Sequence, residues 1–235
     1  MHIAVNTGMN RFGETVPNLW KPIAAAKKSK LISVTGVYSH FYSPEDLSAV
    51  NRQCGIFDKA VDLVKKAFPK AVAHISASGG FIRGKFYGGV RIGILLYGYY
   101  PFCGRSGIRV SVSPAMKVET RIVGTGRLVK GQNFLYGDFT AEESEEYSLI
   151  RYGYADGLPR TAVKSQLNNR CMDVTAINSD EIYCEKYLKN GKKLKKDGKF
   201  YILNKNADKI AEKYGTISYE ILTSVAKRAK RVYLR

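Results

Sequence analysis

The chain has 235 residues, with 38 Lys and Arg against 20 Asp and Glu, for a net charge of +18. Its 45% hydrophobic and 25% charged content suits one large or two small globular domains with a substantial core. No run of about eighteen apolar residues is present to form a spanning helix, which excludes an integral helical membrane protein.

The N-terminus, MHIAVNTGMNRFG, lacks a basic region followed by an apolar one and is not read as a signal peptide. Cys54, Cys103, Cys171 and Cys184 form no CxxC pair, so reduced thiols in a cytoplasmic protein are expected. The basic residues gather in Lys27–Lys30, Lys189–Lys199 and Lys227–Arg235. Such clusters suit phosphate backbones, but no zinc spacing, aromatic-basic motif or recognition-helix pattern accompanies them. A solvated basic surface is the expectation.

In chain order, His2–Thr7 reads as a short strand followed by a turn over Gly8–Gly13. A modest helix is predicted within residues 14–30, beginning near Pro22, and Leu31–Tyr38 reads as a second strand. Ser43-Pro44-Glu45-Asp46 reads as a helix start, with a capping hydroxyl, a proline at the first position and then acids. Leu47, Val50, Cys54, Phe57, Val61, Val64 and Phe68 recur at three- and four-residue steps and predict one apolar face, ended by Pro69. Ala71–Ala77 and Val90–Tyr97 are the third and fourth predicted strands. Strands alternating with helices imply parallel βα units, whose working groups sit at the C-terminal strand ends. Asn10-Arg11, His40, Ser78 and Arg91–Ile94 all fall at or near such ends.

Within VRIGILLYGYYP, Arg91 interrupts an apolar run and needs an anionic or planar partner. Gly93 permits close approach to the backbone, and the amides after it suit a phosphate. A phosphorylated aromatic cofactor fits both features; a plain strand with an edge arginine is the simpler alternative. Gly104–Ser113 reads as a linker. From Pro114 the pattern is mostly β, through MKVETRIV, NFLY, YSLIRYGY, EIYCEKYL and KFYIL. Asn206 is expected to cap a short helix closed by Gly215, and Tyr219–Ala229 another.

Taken together, NTGMNRFG, GVYSHF, VRIGILLYGYYP, PAMKVETRIV, RYGYADGLPR, RCMD and GTISYEIL resemble the alanine racemases. These enzymes interconvert L- and D-alanine by two-base proton transfer on a pyridoxal 5′-phosphate (PLP) aldimine and supply D-alanine for peptidoglycan. The resemblance implies an α/β plus β fold: residues 1–103 as the last four strands of a (β/α)8 TIM-type barrel, residues 104–113 as linker, and 114–235 as a C-terminal β domain. It implies a homodimer sharing its active site across the interface, with alanine as substrate. Arg91 would bond the pyridine nitrogen. Ser78, the amides of Gly93 and Ile94, and Tyr219 would hold the phosphate. Arg11 would contact the ring hydroxyl and substrate carboxylate. Tyr154 would carry a proton, linked by His40 to Arg91, and Met172 with Asp173 would touch substrate.

Each residue also has a plainer reading. Tyr154 and Met172 could be packing, His40 a satisfied core histidine, Ser78 a helix cap and Arg11 a surface cation. Two positions depart from the resemblance, Ala4 for a lysine that orients Arg11 and Ala77 for an asparagine before Ser78. The Schiff-base lysine, the second proton carrier, has no match in the chain. The expectation is therefore an N-terminally truncated racemase whose isolated activity is doubtful. A non-catalytic PLP- or partner-binding descendant is the alternative, and a basic nucleic-acid-binding module a more remote one.

Overall fold

The structure, a computed structural model, describes residues 1–102, 107–134, 139–158, 166–167, 172–177, 182–185 and 195–234. The chain divides into two compact units, Met1–Ser113 and Pro114–Arg235.

In the first unit, β1 (His2–Ala4), β2 (Gly36–Tyr38) and β3 (Val72–His74) form a parallel sheet in that order. Two helices make the crossovers, α1 (Trp20–Lys28) and α2 (Leu47–Ala67). Parity sorts the strand residues onto two faces. Ile3, Val37 and Ala73 are buried in a core shared with Val50, Phe57, Ala60 and Val64 of α2. The opposite face carries His2, Gly36, Tyr38 and His74 in adjacent rows.

The strands are shorter than their apolar runs suggest. The last ladder bonds are single ones, Val5 N to Tyr38 O and Ser39 N to His74 O, after which the chain bends into loops. The predicted fourth strand, Val90–Tyr97, is not formed. Arg91 makes one parallel bridge to Ala77, and Ile94–Tyr97 is a 3-10 turn. Gly93, at φ −120° and ψ −90°, turns the chain out of extended geometry before a ladder can grow.

Helix starts also differ from the sequence reading. The cap of α2 is Asp46 rather than Ser43. Its carboxylate accepts from Ser48 N at 2.8 Å and Ala49 N at 3.3 Å, occupying amides that a helix start leaves unpaired. Those bonds hold the Asp46 carboxyl below its ordinary value. Helix α1 begins at Trp20, before Pro22, because a proline in the first turn removes only an amide that has no helical partner.

The second unit is built on a six-stranded antiparallel sheet in the order β11-β4-β7-β10-β9-β8. Its strands are β4 (Lys117–Leu128), β7 (Glu145–Ile150), β8 (Gln166–Leu167), β9 (Met172–Ile177), β10 (Ile182–Glu185) and β11 (Lys199–Asn204). A small hairpin pairs β5 (Asn133–Phe134) with β6 (Phe139–Thr140). Two short helices follow, α4 (Ala207–Lys213) and α5 (Ser218–Ser224). Asn206 flanks α4 without capping it by side chain, since its Oδ1 accepts from Asn204 N instead. Helix α5 stops at Ser224, earlier than predicted, because Ala226 N bonds Asp156 O and draws the chain away.

Residues 103–106, at the start of the predicted linker, and parts of NFLY and EIYCEKYL lie outside the described residues. Cys54 is a free thiol. No helix among the described residues is long and apolar enough to cross a membrane.

The α2 face predicts its own energetics. Phe57 is fully buried and Leu47 is 53% exposed. Phe57→Ala should lower the unfolding free energy by about 3–5 kcal/mol. Leu47→Ala should cost less than about 1 kcal/mol in the same urea titration.

Candidate active site

The turn after β1 is built by Asn6. Its Oδ1 accepts from Gly8 N at 3.0 Å and Asn10 N at 3.1 Å, and its Nδ2 donates to Asn10 Oδ1 at 2.9 Å. Asn10 itself is left-handed, at φ 58°. Gly13, at φ 100°, passes so close to β1 that a Cβ there would lie 2.9 Å from the carbonyl carbons of Ala4 and Val5. This fold-back brings Arg11 to the rim of a shallow pocket lined by Ala4, Asn6, Tyr38, Ser39 and His40. Ala4 offers no side-chain donor or acceptor to Arg11. The guanidinium instead lies 4.6 Å from the Phe12 ring centroid and makes no hydrogen bond among the described residues.

The loop after β2 carries His40 and is tied down from α2. Gln53, 1% exposed, donates to His40 O at 2.9 Å and Thr7 Oγ1 at 2.8 Å, and accepts from Tyr42 N at 3.1 Å. Ser39 Oγ donates to Val5 O at 2.7 Å and meets Thr7 Oγ1 at 2.8 Å. Every polar side chain in this buried knot has a partner, as low-dielectric burial requires.

Arg91 is the hub. Its Nη2 donates to Ser39 O at 2.8 Å, Ile75 O at 3.3 Å and His40 Nδ1 at 3.1 Å. Its Nη1 donates to His74 O at 3.3 Å and, more closely, to His74 Nδ1. Arginine only donates, so both imidazoles accept at Nδ1 and, when neutral, carry their proton on Nε2. Burial first, then the Arg91 charge, lowers both histidines: His74 to about 4, and His40 also below its usual value, with Arg11 contributing. No hydrogen bond among the described residues engages Arg91 Nε.

Ser78 stands one residue beyond the Ala77–Arg91 bridge and does not cap its own helix, α3 (Ser78–Ile82). The flanking residue is Ala77, which has no side-chain bond to give. Ser78 Oγ instead accepts from Gly93 N at 3.0 Å and Leu95 N at 3.4 Å. Gly93 borders open space, with nothing within 4 Å of a Cβ built on it. The first unit thus gathers Arg11, His40 and Arg91, and next to Arg91 the group Ser78, Gly93 and Ile94.

The other predicted residues belong to the second unit. Tyr154 lies on a 3-10 turn, Tyr154–Asp156, and is 49% exposed. Asp156 closes that turn, accepting from Gly153 N at 3.0 Å and pairing with Arg228 Nε at 2.6 Å. Tyr152, two residues earlier, is buried, donates to Asp156 O at 2.8 Å and is pushed up to about 12 by burial. Of the two tyrosines, Tyr154 is therefore the accessible one. Met172 and Asp173 lie on β9, paired with Leu167 and Gln166, and their side chains fall outside the described residues. Tyr219 lies on α5, 42% exposed, its phenol raised by burial.

Residues 1–101 match the family description "Alanine racemase, N-terminal domain", and residues 115–233 match "Alanine racemase, C-terminal domain". The chain belongs to the alanine racemase family. It is 28% identical to the alanine racemase of Staphylococcus epidermidis over 99% of its length, covering 63% of that protein. It is 31% identical to that of Thermodesulfovibrio yellowstonii over its whole length, covering 65% of that protein. The chain therefore spans just under two thirds of these relatives.

Among solved structures, alanine racemase from Bacillus anthracis with bound L-Ala-P superposes with a TM-score of 0.88 at 24% identity, over 100% of this chain and 64% of that one. The Bartonella henselae alanine racemase, which contains covalently bound pyridoxal phosphate, gives 0.83 at 26%, over 99% and 66%. The alanine racemase fold, a barrel with a β C-terminal domain, is thus shared, and the family uses pyridoxal phosphate.

The residues present fit that cofactor. Arg91 keeps one unengaged N–H while its four others are committed, which suits a single acceptor nitrogen. Following it in the chain, the Gly93 and Leu95 amides gather on the buried Ser78 hydroxyl, with open space at Gly93, a polar cluster that suits phosphate. The sequence reading missed His74, Tyr38, Gln53 and His2. Strand parity was the available signal, since it places His2, Tyr38 and His74 on the face opposite the core.

Two outcomes are expected. With His40 and His74 depressed when folded, the unfolded state binds more protons between about pH 6.5 and pH 4. Stability in urea should be full above that window and fall through it as pH drops, and the His40→Asn/His74→Asn double variant should flatten the dependence. Gly157, at φ 105°, would place a Cβ 2.0 Å from Ser224 O. Gly157→Ala should therefore cost at least about 2 kcal/mol in the same assay.

Proposed function

We propose that this chain supplies the pyridoxal-phosphate and alanine recognition, and one of two proton carriers, of an alanine racemase. The reading takes residues 1–103 as the C-terminal part of the barrel, in a cytoplasmic homodimer that shares its active site. The observation that carries it is Arg91, fixed by four Nη hydrogens and left with Nε–H to offer.

Pyridoxal phosphate supplies an electron sink that makes the α-proton of alanine removable. Arg91 would donate a hydrogen bond to the ring nitrogen without releasing its proton, so that nitrogen stays neutral and the sink is moderated. Ser78 and the amides of Gly93 and Ile94, with Tyr219, would hold the phosphate. Arg11 would bind the ring hydroxyl and the substrate carboxylate, and Met172 and Asp173 would border the substrate across the dimer interface. Tyr154 would hold and move a proton at its phenolic oxygen. An ordinary phenol at about pH 10 is too weakly acidic to serve as base near neutrality unaided, and His40 Nε2–H is the donor proposed to favour its ionised form. The second carrier, a lysine by resemblance, has no match in these 235 residues.

Co-expression with the complementary segment of the Staphylococcus epidermidis relative should give alanine racemisation. Enantiomers have equal free energy in water, so kcat/KM stays equal in both directions in any variant. Separate carriers are distinguished instead by solvent exchange. Tyr154→Phe should lower racemisation at least about 100-fold while one enantiomer still exchanges its α-proton with D2O. Equal loss of exchange from both enantiomers would remove Tyr154 from the role. Saturable pyridoxal phosphate binding without racemisation would favour the non-catalytic reading.

A further inference from the structure

The chain has three histidines, and all three lie on the Arg91 network. His40 and His74 touch Arg91 directly; His2 reaches it through His74. The direction of each bond follows from the arginine. His74 Nδ1 accepts from Arg91, so neutral His74 carries its proton on Nε2. That Nε2 lies 2.6 Å from His2 Nδ1, which must therefore accept.

Topology makes the contact unusual. His2 is on β1 and His74 on β3, with β2 between them. Neighbouring strands lie about 4.8 Å apart, so the imidazole has to cross a whole strand. It can do so because its register partner is Gly36, where a Cβ would lie 2.6 Å from His2 Nδ1. Tyr38 stacks on His74 with ring centroids 5.5 Å apart and planes 9° apart, which limits tilting of that ring.

We infer that His2 is a positioning residue for Arg91, accepting the Nε2–H of His74 and so holding His74 Nδ1 against the guanidinium. Its purpose rests on the proposed role of Arg91 at the ring nitrogen; its test does not. A protonated His2 has no lone pair for His74 and would set one N–H against another. The groups around it are His74 on β3 with Arg91 beyond, and Gly36 on β2, whose neighbour Tyr38 stacks on His74; the Met1 ammonium, before the strand, donates to Ser33 O. Among the described residues no carboxylate pairs with His2. The orientation of Arg91 is thus tied to an acceptor two strands away.

Long-range 1H–15N spectra of the 235-residue chain labelled in histidine report the tautomer and titration of each of its three imidazoles. Neutral His74 should be wholly the Nε2–H tautomer. In His2→Asn the Oδ1 stands in for Nδ1 as acceptor. This variant should keep the tautomer. His2→Ala should let both His74 tautomers appear. Gly36→Ala, which leaves both histidines in place, should do the same. Nδ1–H His74 in the unaltered chain, or His74 signals indifferent to His2→Ala, would overturn the inference even if Gly36→Ala failed to fold. The measurement needs no cofactor, so its outcome is independent of whether the chain takes part in racemisation.

Discussion

One guanidinium organises the first unit. Where parallel strands end, their carbonyls lose ladder partners, and an unpaired buried carbonyl is costly. Arg91 answers two of them, Ser39 and Ile75, adds a second donor to His74 O, and bonds two imidazoles besides. Hydrogen bonds to a charged group are each worth roughly 1.5–3 kcal/mol, enough to fix the cation despite its partial burial. The cost is that both flanking histidines must stay neutral. The same fixation leaves a charged donor whose last hydrogen bond is open, and this preorganisation lets a site act on developing charge without rearranging.

Around that hub, polar burial is used for placement. Gln53 reaches from α2 to the backbone of the His40 loop, so a core helix residue sets the height of a site residue. In the second unit Asp156 has the corresponding task. It closes the Tyr154 turn on itself and anchors it to the segment after α5 through Arg228 and Ala226. Gly157 is required there because a carbonyl of that segment occupies the space a Cβ would need. Both units thus hold a short loop by groups distant in sequence.

The sequence disclosed the alternation of strands and helices, the core face of α2 and the mostly β character after Pro114, since each is a periodic property of neighbouring residues. It misplaced the start of α2 because Ser43 and Asp46 are both good caps, and only the loop geometry decides which carboxylate or hydroxyl reaches the free amides. It misread Val90–Tyr97 because strand-like composition does not supply a pairing partner, and the backbone turns at Gly93 after a single bridge. The Arg91–His40 contact was legible through the family resemblance alone. His74 was signalled only by strand parity, and Gln53 by nothing, because a helix glutamine does not stand out until its partners are seen.

Ala77 and Ala4 are the two positions where the resemblance expects longer polar side chains. Ala77 gives α3 no side-chain cap, yet Ser78 is not recruited to replace it; its oxygen remains with the Gly93 and Leu95 amides. Ala4 leaves Arg11 against the Phe12 ring with no hydrogen bond among the described residues. The first loss falls on a five-residue helix pinned by close packing of Gly79 on Pro44, so the serine keeps its place. The second falls on a side chain whose contact among the described residues is the Phe12 ring. Local order is therefore preserved where backbone packing determines it and given up where a single long side chain had to be steered. By that argument the turn at Ser78 is the most firmly placed of these groups and Arg11 the least constrained side chain.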